Sequence, residues 1–399
     1  MKFEWKEYTI GDLCDTISDT YKRNDEEVIL INTSDVLDGN VLNHKAVKNK
    51  NLKGQFKKTF RHNDILYSEI RPANKRFAFV DFDNTEKYIA STKLMVLRAH
   101  EDVVLPQYLF AILKSQKVIE TLQHLAETRS GTFPQITFSS ELAPMNVMLP
   151  NIVTQKQIIA ILSVIECKIK LNNEINANLE QQAQAIFKSW FVDFEPFGGT
   201  IPETWFMAKL GDIASIKTTS FSPAKNPDVT LEHYSIPAFD KNKYPVFELA
   251  KEVKSNKYIL TSKSIMISKL NPNTKRVWRP MYLTEFAVSS TEFIIFEANN
   301  PIYKDFIYSI IDSVDFMDWM CAHTTGSTNS RQRTIPSTTL EFKVPIACDE
   351  IISEFCAIVS PMYDKISQNI CENQKLVKIR DTLLPKLMSG EIDVSDITI

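Results

Sequence analysis

Two long stretches of the chain place apolar residues at alternating steps of four and three, the spacing of a helical seam that packs on a second helix. In the first, positions 158, 162, 165, 169, 172, 176, 179, 183, 186 and 190 are Ile, Leu, Ile, Ile, Asn, Asn, Leu, Ala, Ile and Trp. In the second, positions 352, 355, 359, 362, 366, 369, 373, 376, 380, 383 and 387 are Ile, Phe, Val, Met, Ile, Asn, Asn, Leu, Arg, Leu and Leu. No Gly or Pro lies between Asn151 and Asp193, or between Met362 and Leu384. Each stretch therefore predicts a helix of roughly 35–40 residues, about 50–60 Å long. Pro361 is expected to kink the second. A buried asparagine is costly unless partnered, so Asn172, Asn176, Asn369 and Asn373 predict that the helices pair with each other and that these residues set the register. A parallel pair would need the chain to travel about 60 Å back without a helix to carry it, so the pair is expected to be antiparallel.

The segments preceding each helix alternate in the manner of strands. Asp64–Ile70, Phe77–Asp81 and Ile89–Leu97 read as strands, Leu105–Glu127 as a helix opened by Pro106, and Val147–Pro150 as a closing strand. The same order returns as Tyr258–Leu270, Arg276–Tyr282, Ser289–Phe296, a helix over Ile302–Cys321, and Phe342–Pro345. The return is also literal. Ile70-Arg71-Pro72-Ala73-Asn74-Lys75-Arg76 matches Leu270-Asn271-Pro272-Asn273-Thr274-Lys275-Arg276 at an offset of 200, as Gly11-Asp12-Leu13 matches Gly211-Asp212-Ile213. A period this long implies two copies of one unit rather than a solenoid. Both copies follow their helix with a polar loop. The loops share a small-Gly-small triplet (Ser130-Gly131-Thr132, Thr325-Gly326-Ser327) and a later glutamine, Gln135 or Gln332. The predicted fold is mixed α/β: two similar domains joined by two antiparallel coiled-coil helices, a dumbbell with a pseudo-twofold axis.

Composition changes this picture only through the placement of charge. The net charge of −3 argues against a polyanionic partner. Residues 41–80, however, carry ten cations (Lys45, Lys48, Lys50, Lys53, Lys57, Lys58, Arg61, Arg71, Lys75 and Arg76) against Asp64 and Glu69. Residues 257–284 carry Lys257, Lys263, Lys269, Lys275, Arg276 and Arg279 with no acid. Cations clustered at matched positions of two copies predict binding to a phosphate backbone. Lys57, Arg71, Lys75, Arg76, Lys269, Lys275, Arg276 and Arg279 are the expected contacts to phosphate or guanine. Asn74, Ser130, Thr132, Gln135, Asn273, Ser327, Asn329, Arg331, Gln332 and Arg333 are the candidates around the loops, since Asn and Gln suit adenine and Arg suits guanine.

Other chemistries find little purchase. The six cysteines show no CxxC and no zinc-ligand spacing with histidine, so a reduced, cytoplasmic setting is expected. Met1–Lys6 lacks the apolar segment of a secretory signal, and no apolar run approaches the ~18 residues of a membrane span. With nine glycines, no GxG, no Pro-Pro and no GxxxxGK[ST], neither a methyltransferase cofactor loop nor a phosphate loop is present. Asn271-Pro272-Asn273-Thr274 begins like a methyltransferase tetrad but lacks its second proline and its aromatic. One alternative is a metal-dependent nuclease using Asp228, Glu252 and Lys254. Another is a coiled-coil adaptor that recognises protein.

Several strings carry a family resemblance. They are Leu149-Pro150 with Gln155-Lys156-Gln157-Ile158, Ala185–Phe197 (AIFKSWFVDFEPF), Ile201-Pro202-Glu203-Thr204-Trp205, and Leu383–Ile392 (LLPKLMSGEI). With the domain–helix–domain–helix order, they make the chain resemble the specificity subunit of type I restriction–modification enzymes. The resemblance implies target-recognition domains at 1–150 and 198–345, a central spacer helix at 151–197, and a C-terminal spacer helix and tail at 346–399. It implies that each domain reads half of an asymmetric, bipartite double-stranded DNA site, and that the chain is itself non-catalytic. It further implies two modification subunits that carry S-adenosylmethionine and methylate adenine, and restriction/translocase subunits beyond them.

Overall fold

The computed structural model describes residues 5–50, 54–129, 132–326 and 332–394. They form two compact units, one of residues 1–167 with 377–399 and one of 168–376, and the boundaries fall within the two long helices. The first unit holds a four-stranded antiparallel sheet in the order Cys14–Ile17, Leu94–Ala99, Ile65–Ser68, Phe77–Phe79. Beside it, Ala46–Lys48, Glu27–Ile31, Tyr88–Ser91 and Phe56–Lys58 form a second sheet, in which Glu27–Ile31 and Tyr88–Ser91 run parallel. Lys6–Thr9 pairs with Asn146–Leu149 to close the unit.

The second unit repeats this topology with one strand added to its second sheet. Ala214–Lys217, Phe293–Ala298, Ser264–Ser268 and Val277–Trp278 make the antiparallel sheet. Ser220–Phe221, Lys257–Ile259, Ala287–Ser289, Thr230–Tyr234 and Val246–Leu249 make the other, again with one parallel pair. Phe206–Lys209 with Lys343–Ile346 is the closing pair. The repeated Gly-Asp has a local cause in each unit. Gly11 N donates to Ala143 O and Gly211 N to Leu340 O, both at 2.9 Å. A Cβ at either glycine would lie 3.2 Å from the Cβ of Ala143 or Leu340. Asp12 and Asp212 each accept the backbone N–H three residues upstream at 2.8 Å, capping a one-turn helix.

Several expected elements are divided. The strand expected over Ile89–Leu97 is two, Tyr88–Ser91 and Leu94–Ala99, in different sheets, because the polar Thr92-Lys93 turn carries the chain between them. Ala287–Ser289 and Phe293–Ala298 divide alike, and Tyr258–Leu270 divides into Lys257–Ile259 and Ser264–Ser268. Arg276–Tyr282 shrinks to Val277–Trp278, ahead of a proline that cannot donate to a ladder. The helix over Leu105–Glu127 is Pro106–Leu113 and Gln116–Arg129; that over Ile302–Cys321 is Lys304–Ile311 and Val314–Ala322. A serine sits at each break: Ser115 Oγ accepts from Val118 N at 3.4 Å and Ser313 Oγ from Phe316 N at 3.2 Å, N-terminal capping contacts that restart the helix.

The long helices are Ile152–Phe191 and Asp349–Met388, each 40 residues. The second runs uninterrupted through Pro361, whose exposed position leaves the unpaired carbonyl of the preceding turn to water. Within the second unit the helices face each other antiparallel. Asn172 Nδ2 donates to Asn373 Oδ1 at 2.9 Å and to Glu372 Oε2 at 2.8 Å, and Asn369 Nδ2 donates to Asn176 Oδ1 at 2.8 Å. Asn373 Nδ2 reaches Asn173 Oδ1 at 2.8 Å. Near the end of the first helix the buried stripe drifts from Ile186 and Trp190 onto Phe187 and Phe191, as an unsupercoiled 3.6-residue turn does against a seven-residue repeat.

Each unit's core takes the start of one helix and the end of the other. Ile158 and Leu162 join Leu384 and Leu387 in the first unit; Ile352, Phe355 and Val359 join Ala183, Phe187 and Phe191 in the second. In the first unit, Gln155 fastens the helix to its domain. It accepts from Leu105 N at 2.9 Å and donates to Val103 O and Pro150 O at 3.0 Å. In the second, Arg279 does this by charge, reaching Asp305 at 2.7 Å and Asp364 of the C-terminal helix at 2.9 Å.

Two stability outcomes follow, both read by urea unfolding of the full chain. Asn172→Leu is expected to destabilise by about 1–3 kcal/mol, because Asn373 then keeps a buried polar group short of a partner. Asn172→Leu/Asn373→Leu should recover most of that loss; no recovery would mean the pair does not act as a pair. Arg279→Ala leaves Asp305 buried without its cation and should cost about 3 kcal/mol. An unchanged midpoint would reject the clamp.

Candidate nucleic-acid interface

In the first unit, Ile65–Ser68 and Phe77–Phe79 flank a tip whose backbone is strained. Arg71 and Lys75 both have left-handed φ, 45° and 52°, around a short 3-10 turn at Pro72–Asn74. Non-glycine residues reach that region only where surroundings hold them. Here Ala73 N donates to Gln123 Oε1 at 3.0 Å and Arg71 N to Pro134 O at 3.1 Å. Ser68, 2% exposed, holds the strand end, since its Oγ accepts from Ile70 N at 3.0 Å. Ser268, also 2% exposed, does the same for Leu270 N at 3.2 Å, and Asn271 repeats the left-handed φ at 50°.

The polar loop returns against the hairpin in both units. Ile70 bridges Gln135 and Leu270 bridges Arg333. Ile136 N donates to Glu69 O at 2.8 Å, and Thr334 N to Lys269 O at 3.0 Å. Gln135 therefore occupies the position of Arg333, not of Gln332, so matching the two glutamines was one residue out of register; the loops differ in length, and only the bridges fix the alignment. Ser130, Ser327, Asn329 and Arg331 lie outside the described residues. Thr132 is exposed.

The expected cations divide sharply. Among the described residues, Lys57, Arg71 and Lys75 are exposed and their side chains make no ion pair. Asn74 is exposed at the tip, and Arg76 turns inward to donate to Ser34 O at 3.0 Å. The second unit corrects the charge count. Lys275 pairs with Asp312 at 2.7 Å, Arg276 with Asp240 at 2.6 Å and Arg279 with Asp305 and Asp364. Arg279, its side chain 15% exposed, is a structural clamp and not a free contact. Its burial opposes the charge, but the two aspartates hold its affinity for the proton above the ordinary value. Burial raises the Asp312 carboxyl, and Lys275 opposes that shift. Lys257 is 6% exposed, with burial lowering it. All four neutralising acids lie outside residues 257–284, so a window of sequence could not register them. Asn273 is exposed and accepts from the Cys321 thiol; Lys269 and Gln332 are half-buried beside the bridge.

The bridges also bring in residues the sequence reading passed over. Lys93 Nζ lies 3.5 Å from Glu69 and 3.3 Å from Gln135 Oε1. At the equivalent position of the second unit, Glu292 takes Arg333 through Nε at 3.0 Å and Nη2 at 3.2 Å. The hydrogen bond to Glu292, then its charge, raises Arg333 above its ordinary value. Aligning the copies on the strands that follow would have exposed both positions. The nuclease alternative gains no support. Asp228 and Glu252 are exposed, and among the described residues no group of three or more His, Cys, Asp or Glu could hold a metal. No described helix is long and apolar enough to cross a membrane.

The family model of the type I restriction modification DNA specificity domain matches residues 2–181. The HindI type I restriction enzyme specificity subunit of Haemophilus influenzae is 47% identical over 194 residues, 48% of this chain and 42% of that protein. The chain thus spans less than half the length of that relative. The MjaIX specificity subunit of Methanocaldococcus jannaschii is 27% identical over 317 residues, 74% of this chain and 71% of its own length. In fold, the type I restriction-modification S subunit of M. genitalium superposes with a TM-score of 0.58 at 17% identity, over 96% of both chains. Its likeness extends the shared fold across the second unit, of which the family model covers only residues 168–181. Over residues 2–181 the chain is thus similar to the DNA specificity domain of type I restriction–modification systems, and its whole length is similar in fold to a specificity subunit.

Proposed function

We propose that the chain is the non-catalytic, DNA-reading subunit of a type I restriction–modification complex, acting in the cytoplasm. Each unit reads one half of a bipartite duplex site. The observation that carries this is one hairpin-and-loop frame built twice, with unlike charged side chains mounted on it. Unlike readers call for an asymmetric site, not a palindrome. The two 40-residue helices set the unread gap; at about 1.5 Å per residue each is near 60 Å, under two turns of duplex at about 34 Å each. Their outer faces dock two modification subunits, which carry S-adenosylmethionine and methylate adenine, and restriction/translocase subunits complete the assembly. The relatives named as specificity subunits support this reading.

The test is co-expression of the full chain with type I modification subunits, then mapping of methylated adenines. An asymmetric, interrupted motif is expected. Failure to co-purify, or methylation without a motif, would reject the proposal. Within that complex, Arg71→Ala and Lys75→Ala are each expected to weaken duplex binding irrespective of sequence. Each should also reduce the slope of log affinity against log salt by about one. A changed motif with an unchanged slope would contradict their assignment to phosphate.

A further inference from the structure

The three positions that meet at the base of each hairpin invert their chemistry between units. Backbone bonds make them equivalent: Glu69 N donates to Lys93 O at 3.1 Å, and Lys269 N to Glu292 O at 2.9 Å. The third position is Gln135 or Arg333, bridged to Ile70 or Leu270. The first unit thus carries an acid, an ammonium and an amide; the second carries an ammonium, an acid and a guanidinium. Beneath them nothing inverts, since Ser68 and Ser268 make the same pair of contacts to the residue two positions on. A pair kept only to hold this frame would have no reason to swap sign while the frame is unchanged. These side chains also stand in solvent, Lys93 49% and Arg333 45% exposed.

We propose that this three-residue cluster is the specificity-determining element of each unit, with Arg333 reading a guanine in the second half-site and Glu292 as its positioning residue. The inference rests on the DNA-reading function proposed above. Glu292 occupies Nε and one N–H of Nη2. That leaves the Nη1 and remaining Nη2 hydrogens side by side, the fork that matches O6 and N7 of guanine. The carboxylate fixes the plane of the guanidinium before DNA arrives, so less rotamer freedom is lost on binding. In the first unit the same place offers the Lys93 ammonium and the Gln135 amide instead. Its donors are set differently, and it selects a different base there.

The full chain, in complex with its modification subunits, is to be titrated against duplexes randomised in one half-site at a time. Arg333→Lys keeps the charge but loses the fork. It should cut guanine preference at one position of the second half-site by about 5- to 150-fold. Glu292→Gln should reduce the same preference without changing the salt slope, and Glu292→Asp should restore part of it. Preference in the first half-site must stay intact, which serves as the control for folding. Unchanged preference in the variants, or loss in both half-sites together, overturns the inference while leaving the DNA-reading function standing. A wild-type complex without preference in either half-site overturns both.

Discussion

The structure depends on the register of two antiparallel helices. Each unit completes its core with the beginning of one helix and the end of the other, so a slip of one turn would withdraw Leu384 and Leu387 from the first core and Phe187 and Phe191 from the second. Apolar seams alone do not forbid such a slip, because Leu, Ile and Val exchange places at little cost. The facing Asn172–Asn373 and Asn369–Asn176 pairs do, since a shifted alignment would leave buried amides against hydrocarbon. A modest local penalty in the helices therefore helps to hold the aromatic side chains of the second unit's core in place.

On that foundation the duplication separates frame from surface. The antiparallel four-stranded sheet, the Gly-Asp turn and the buried serines recur in both units. The groups mounted above them diverge in sign and in hydrogen-bonding capacity. Among the described residues the first hairpin leaves Arg71 and Lys75 without an ion pair, whereas the second ties Lys275, Arg276 and Arg279 to aspartates distant in the sequence. One backbone solution thus supports two electrostatic surfaces, because the exposed positions contribute little to the core and can change independently of it.

How legible this was follows the range of each interaction. The asparagine pairs could be read because helical periodicity is local and their offset from the flanking apolar positions is the same in both seams. The hairpin tips could be read because Pro72 and Pro272 anchor a literal repeat. Strand division at Thr92-Lys93 was hidden, since alternation continues across the turn. The serines that split the helices were visible but ordinary. The ion pairs of Lys275, Arg276 and Arg279 were beyond any local count, because Asp240, Asp305, Asp312 and Asp364 reach them only through the tertiary fold. The register of Gln135 against Arg333 needed the backbone bridges, because loop lengths differ and composition does not.

The two units also differ in how they are strung along the chain. The second is one continuous run, 168–376, whereas the first draws on residues 1–167 and again on 377–399. During synthesis the later-made unit has all its parts first. The earlier-made one must wait, its apolar floor open at Ile158 and Leu162, until Leu384 and Leu387 leave the ribosome. A premature stop or a proteolytic nick near residue 380 would thus be felt far upstream, in the unit translated before the other.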